Sequence, residues 1–114
     1  MEGLAIEVEN LMAKNQLDAL VYPHQKCLVL PIGATFQKDR NGNIAPTGGF
    51  PAIDVPAGFS APTADAPIGV PVGMELLARP WQEPKLLMLA YGFEQASHAR
   101  KAPQSVPAIL KKRN

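Results

Sequence analysis

The sequence has a single cysteine, Cys27, and therefore no internal disulfide, which suits a reducing compartment and a cytoplasmic setting. It has almost no charge imbalance: 11 basic against 10 acidic residues leave +1. A balance of that kind provides no broad field to hold nucleic acid or an anionic membrane surface, so neither partner is expected. Long hydrophobic runs are missing too, and none approaches the ~20 residues that span a bilayer. The first ten residues, MEGLAIEVEN, are acidic and amphipathic, without the basic and apolar regions of a signal peptide. No internal repeat is present.

What is present is a 114-residue chain that is 46% apolar, enough for one domain with a modest core. Its 12 prolines are about twice the usual share and fall mostly between periodic segments, where they read as rigid connections. Residues 1–103 form the domain, and 104–114 form a Pro-containing tail whose Lys111-Lys112-Arg113 cluster solubilises a chain end.

Leu4, Val8, Leu11 and Met12 recur at helical spacing and predict an amphipathic helix over roughly 3–15, stopped near Asn15. LDALVYP, 17–23, reads as a short buried strand closed by Pro23. Residues 24–47 lack a clean period and read as a long loop with an Asn41-Gly42 turn. Strands follow at about 51–57 and 70–79, antiparallel neighbours, with Gly73 hinting at a bulge or a close backbone approach. Leu86, Leu89, Ala90 and Phe93 share one stripe of a helix over 83–99 that begins with Pro84 in its first turn. The fold class is α/β: a mixed sheet with flanking helices.

Nucleophiles are scarce. Ser60, Ser97 and Ser105 lie in no Gly-x-Ser-x-Gly elbow and no Gly/Ser-rich turn. Ser97 and His98 are consecutive in a helix, so they point apart and read as solvated residues. His24 and Cys27 follow the strand that ends at Pro23, a frequent place for sites in α/β sheets. They could form a thiolate pair, or be an incidental loop pair. Two ligands are too few for a closed zinc site, and with no second Cys/His pair neither a metal nor a cofactor is expected. Asp54 interrupts an apolar strand; it is either an outward position or a paired acid below a pocket. Glu75 and Arg79, four apart on a strand, read as a surface pair. Trp81, Tyr91 and Phe93 read as helix-docking aromatics.

The stretches APTGGFPAIDVPAGF and PIGVPVGMELLARPWQEPKLLMLAYGFEQASHAR resemble the C-terminal end of the amidase signature family. That pattern has a Gly-x-Pro-Ala strand closing in Pro-x-Gly, then Leu-Pro-x-Gly, a Gly-Arg-Pro-like turn and a helix with Phe-Glu-x-Ala. The matching residues are Gly49-Phe50-Pro51-Ala52, Val55-Pro56-Ala57-Gly58, Val70-Pro71-Val72-Gly73, Arg79-Pro80-Trp81 and Phe93-Glu94-Gln95-Ala96. Each piece is short; their joint order and spacing over about residues 3–103 make the match specific. The resemblance implies a mixed sheet under helices and hydrolysis of small-molecule amides by a Ser–cis-Ser–Lys triad, in which the lysine acts through the bridging serine.

The Gly/Ser-rich triad segment and the upstream lysine region do not occur in these 114 residues, so no residue inherits a triad role. Met74-Glu75 stands where the family usually has Gln, and Pro23-His24-Gln25 where relatives often continue Thr-Pro. The residues left as catalytic candidates are His24, Asp54 and Cys27; His24, Cys27 and Phe50 are candidates for lining a substrate pocket. Three readings of the chain follow. It is a catalytically incomplete C-terminal part of an amidase that needs a complementary segment. Or it is a truncated relative reused as a homo-oligomer with its own small-molecule pocket. Or it is a module that docks on the sheet edge of an intact amidase.

Overall fold

The structure is a computed structural model and describes residues 2–103; the basic tail assigned to 104–114 lies outside the described residues. The elements are α1 (Glu2–Lys14), β1 (Leu20–Pro23), α2 (Ile44–Gly48), β2 (Ala52–Phe59), β3 (Pro71–Leu77) and α3 (Glu83–Ser97). The three strands form one sheet in the order β1-β3-β2. The helices and sheet make the α/β arrangement expected, and both strand pairings are antiparallel.

The strand order explains where proline is tolerated. β1 and β2 are edges, and they carry Pro23 and Pro56 inside their spans. Central β3 has proline only as its first residue, Pro71, so no ladder N–H is lost from its interior. Opposite β3, the register of β2 slips between Pro56 and Gly58, with Pro56 facing Gly73 and Gly58 facing Val72. The bulge hinted at by Gly73 therefore sits in the facing strand, where Gly58 adopts φ +127°. Around Gly73 itself the space is open.

Side chains alternate across β3 and divide the core in two. Leu76 and Ala78 join Val55, Leu86 and Ala90 beneath α3, with Ile53, Met74, Leu89 and Phe93 packed at the margin. On the other face Leu77 joins Met12, Ala45 and Phe50, under α1 and α2. Met12 and Leu77 are 0% exposed. Burying a side chain of that size contributes about 1.5–3 kcal/mol.

α3 packs as its stripe predicts. Pro84 lies in its first turn, and His98, at φ +47°, ends it by donating its backbone N–H to the Glu94 carbonyl. α1 differs from expectation in its buried face. Ala5, Val8 and Met12 turn inward, whereas Leu4 and Leu11 are exposed. It ends where Asn15 Nδ2 donates to the Leu11 carbonyl at 2.8 Å and Gln16 turns left-handed.

Three other expectations are corrected. The span 17–23 is a strand only from Leu20, and as an edge strand it leaves Val21 exposed. The loop 24–47 contains structure: a Gln25–Arg40 bridge and the start of α2, whose Ala45 is a core residue. That short helix cannot be read from periodicity, because five residues do not complete two turns. Trp81 and Tyr91 do not dock the helix; both are exposed, Trp81 in a left-handed turn, and only Phe93 packs on the core.

Candidate functional site

The site begins as a row across the sheet. Tyr22 of β1, Glu75 of β3 and Asp54 of β2 are register partners on one level. His24 follows Tyr22 by two residues, just past the end of β1, with its backbone N–H donating to the Gly73 carbonyl at 3.4 Å. Period-two alternation brings all four side chains to the face opposite α3.

Glu75 is the centre of the row and is 3% exposed. A buried carboxylate needs partners, and two donors supply them. The Tyr22 hydroxyl donates to Oε1, and His24 Nδ1 lies 2.7 Å from Oε2. Asp54 is the open side of the cluster: its side chain is 55% exposed and Oδ1 lies 3.4 Å from the same His24 Nδ1. Burial first, and then the hydrogen bond to Glu75, push the Tyr22 phenol well above its ordinary pKa, so it stays a donor. The imidazole lies over Gly42: a Cβ there would fall 2.7 Å from Nε2, so only glycine leaves room for the ring. The turn carrying Gly42 is tied back to the strand end, with Asn41 Nδ2 donating to the Pro23 carbonyl at 2.8 Å and Asn41 N–H to the His24 carbonyl at 3.0 Å.

A cleft of about 540 Å³ opens beside this cluster, between residues 24–29, Asp54 and residues 71–73. His24, Cys27 and Asp54 all line this cleft. Cys27 lies in the exposed loop with Sγ directed at the Lys38 carbonyl, 3.4 Å away, and stands outside the His24–Asp54–Glu75 cluster. Phe50 is elsewhere: it is 7% exposed, part of the core beside Leu77, and does not line this cleft. Asp54 combines features of its two readings: it is more than half exposed, and it lies beside His24 at the cleft.

Glu75 and Tyr22 are the members that sequence reasoning missed. The expected surface pair of Glu75 with Arg79 does not form; Glu75 turns into the sheet, and Arg79 Nη2 donates to the Leu17 carbonyl at 2.9 Å. The available signal was an acid set among Val72, Met74, Leu76 and Leu77, a run that reads as a buried strand.

Chemically, the cluster joins a phenol, an imidazole and two carboxylates at the mouth of an open cleft. It can hold a proton between His24 and Glu75, and it presents three ligand atoms within 4.8 Å of one another.

No family model matches the chain. Among curated proteins it is 34% identical over 99 residues to a probable amidase of Arabidopsis thaliana, covering 87% of this chain and 15% of that protein. It is 42% identical over 57 residues to a glutamyl-tRNA(Gln) amidotransferase protein of Moorella thermoacetica, covering 49% of this chain and 10% of the relative. The protein of the same name from Synechococcus sp. is 47% identical over 49 residues, or 43% of this chain and 9% of the relative. The chain thus spans less than a sixth of the length of these relatives. With relatives of these kinds, and with the quoted strand, turn and helix segments in their expected order, the chain belongs to the amidase signature family, over a stretch consistent with a C-terminal portion.

Proposed function

We propose that these residues serve an amidase-type hydrolase, which cleaves amide C–N bonds, by forming a wall of its substrate cleft, and that they do not carry its nucleophile. The observation that carries this reading is the match to an amidase over 87% of the chain, in a sequence that lacks a Gly/Ser-rich triad segment. The described serines support it. Ser60 Oγ accepts the Val70 N–H at 3.0 Å and donates to the Ala61 carbonyl at 3.0 Å, a turn-closing role. Ser97 Oγ accepts the Ala99 N–H at 3.4 Å beyond the end of α3. Neither is hydrogen-bonded to a group that would take its proton.

The same reading accounts for the outer surface of α3. Leu87, Met88 and Tyr91, three and four residues apart, are each more than 60% exposed. A complementary amidase segment would cover them, and a second copy of this chain is the alternative cover. The described residues include no helix long and apolar enough to cross a membrane. A cytoplasmic setting agrees with the lone free thiol.

The test is to expose the 114-residue chain to a serine-reactive organophosphorus probe and an amide substrate, reading intact mass and turnover. No adduct and no turnover are expected. A stoichiometric adduct on Ser60 or Ser97 overturns the reading. Light scattering at two concentrations then separates the covers: a discrete dimer favours a second copy.

A further inference from the structure

The unusual electrostatic feature of the molecule is the pair Asp54 and Glu75. They are direct cross-strand partners, and like charges directly opposite one another destabilise a sheet. Glu75 is also buried, which removes the water that would otherwise screen it. Among the described residues the only ion partner of either carboxylate is His24. A single imidazolium supplies at most +1 against two carboxylates, so the cluster keeps a negative charge even with His24 protonated.

We propose that His24, Asp54 and Glu75 form a binding site for a divalent transition-metal ion of the Zn²⁺ type, open to the cleft. Three lines support it. First, the ligand atoms are of the right kind: one imidazole nitrogen and two carboxylate oxygens, a set that suits Zn²⁺ and disfavours Mg²⁺, which prefers an all-oxygen shell. Second, the spacing fits. Nδ1 is 2.7 Å from Glu75 Oε2 and 3.4 Å from Asp54 Oδ1. Tetrahedral ligands around Zn²⁺ at bond lengths of about 2.0–2.2 Å are separated by roughly 3.3–3.6 Å, so the Nδ1–Oδ1 spacing matches and rotation of the Glu75 carboxylate, opening its contact with Nδ1, places all three on one ion. Third, the surroundings are those of a ligand shell. Tyr22 donates to the other oxygen of Glu75 and orients the carboxylate, and Gly42 leaves the space in which the imidazole lies.

Coordination through Nδ1 puts the imidazole proton on Nε2, so a neutral His24 binds without changing its proton count. The ion takes the place of the proton bridging Nδ1 and Oε2, and its +2 charge neutralises both carboxylates. Three protein ligands leave a position facing the cleft of about 540 Å³, where water or a carbonyl oxygen can bind. The sequence alone points to His24 with Cys27; the fold replaces the thiol by two acids from neighbouring strands.

The experiment is calorimetric titration of the full chain with Zn²⁺, and separately with Mg²⁺, near neutral pH. One equivalent of Zn²⁺ should bind at least tenfold more tightly than Mg²⁺. Asp54→Asn is the decisive variant, because an exposed side chain changes there without disturbing the core; it should weaken Zn²⁺ at least tenfold. His24→Ala should do the same, with an unchanged circular dichroism spectrum as the folding control. Cys27→Ala and His98→Ala should leave affinity within twofold. Absence of saturable binding overturns the proposal, as does affinity unchanged in Asp54→Asn or lost in Cys27→Ala or His98→Ala.

Discussion

On the α3 face of β3, Leu76 and Ala78 meet Val55, Leu86 and Ala90, and every member of the cluster is apolar. On the opposite face Leu77 meets Met12 and Phe50, yet Glu75, two residues earlier on that face, meets Tyr22 and His24. The two faces share a backbone and differ in what covers them. α3 lies mainly over β2 and leaves Val21 of β1 exposed, whereas α1 and α2 pack at the Leu77 end of theirs. Where helix cover stops, a polar row closes the sheet and a cleft opens. A strand can thus be core at one end and site at the other, provided each buried polar atom on it finds a partner.

The comparison breaks most severely at Leu77. Leu77→Ala should cost about 2–5 kcal/mol, because a fully buried side chain leaves a cavity under α1. Denaturant unfolding measures it, and a loss far below that range would show that the α1 face is not a packed core. The polar row comes next. Tyr22→Phe removes one of the two donors to buried Glu75 and should cost about 1–3 kcal/mol. It has a pH signature as well. The Tyr22 pKa is raised in the folded protein, so its contribution is complete below the unfolded tyrosine value of about 10 and is lost as pH rises beyond it. Native stability should therefore fall above pH ~10 more steeply in the parent than in Tyr22→Phe. Equal slopes would mean that the phenol is not held by Glu75. The smallest effect belongs to the surface. Lys85 Nζ lies 2.5 Å from Asp18 Oδ1, and the hydrogen bond and charge of Lys85 lower the Asp18 pKa. The contribution is present above the unfolded aspartate value and lost as pH falls through the lowered one. Asp18 is exposed, so Lys85→Met should leave the unfolding midpoint at neutral pH unchanged within error.

The elements differ in how much of them could be read in advance. α3 was legible because Leu86, Ala90 and Phe93 repeat at helical spacing and Pro84 marks the start, and both signals are local. β2 and β3 were legible from apolar runs fenced by Pro and Gly. α2 was not, because five residues carry no period, and Ala45 is buried by tertiary contact with a cluster that includes Met12, Phe50 and Leu77. In the site, His24 stood out as a polar residue just past a strand end, and Asp54 as an acid inside an apolar strand. Glu75 was misassigned because its partner in sequence, Arg79, looked sufficient. Side chains four apart share a strand face in any sheet, but the partner actually taken depends on which strand lies alongside.

By itself the sequence determined the α/β class, the two antiparallel neighbours, the α3 stripe, the absence of a Gly/Ser-rich triad segment, and the family resemblance that its relatives bear out. These depend on periodicity, on proline and glycine geometry, and on residue order, all of which are written along the chain. Only the tertiary structure decided that β1 pairs with β3, and with that pairing Tyr22 and His24 came to stand beside Glu75 and Asp54. The four residues are separated by up to 53 positions, and hydrogen bonds and charge act over a few ångströms of space, whatever the separation along the chain.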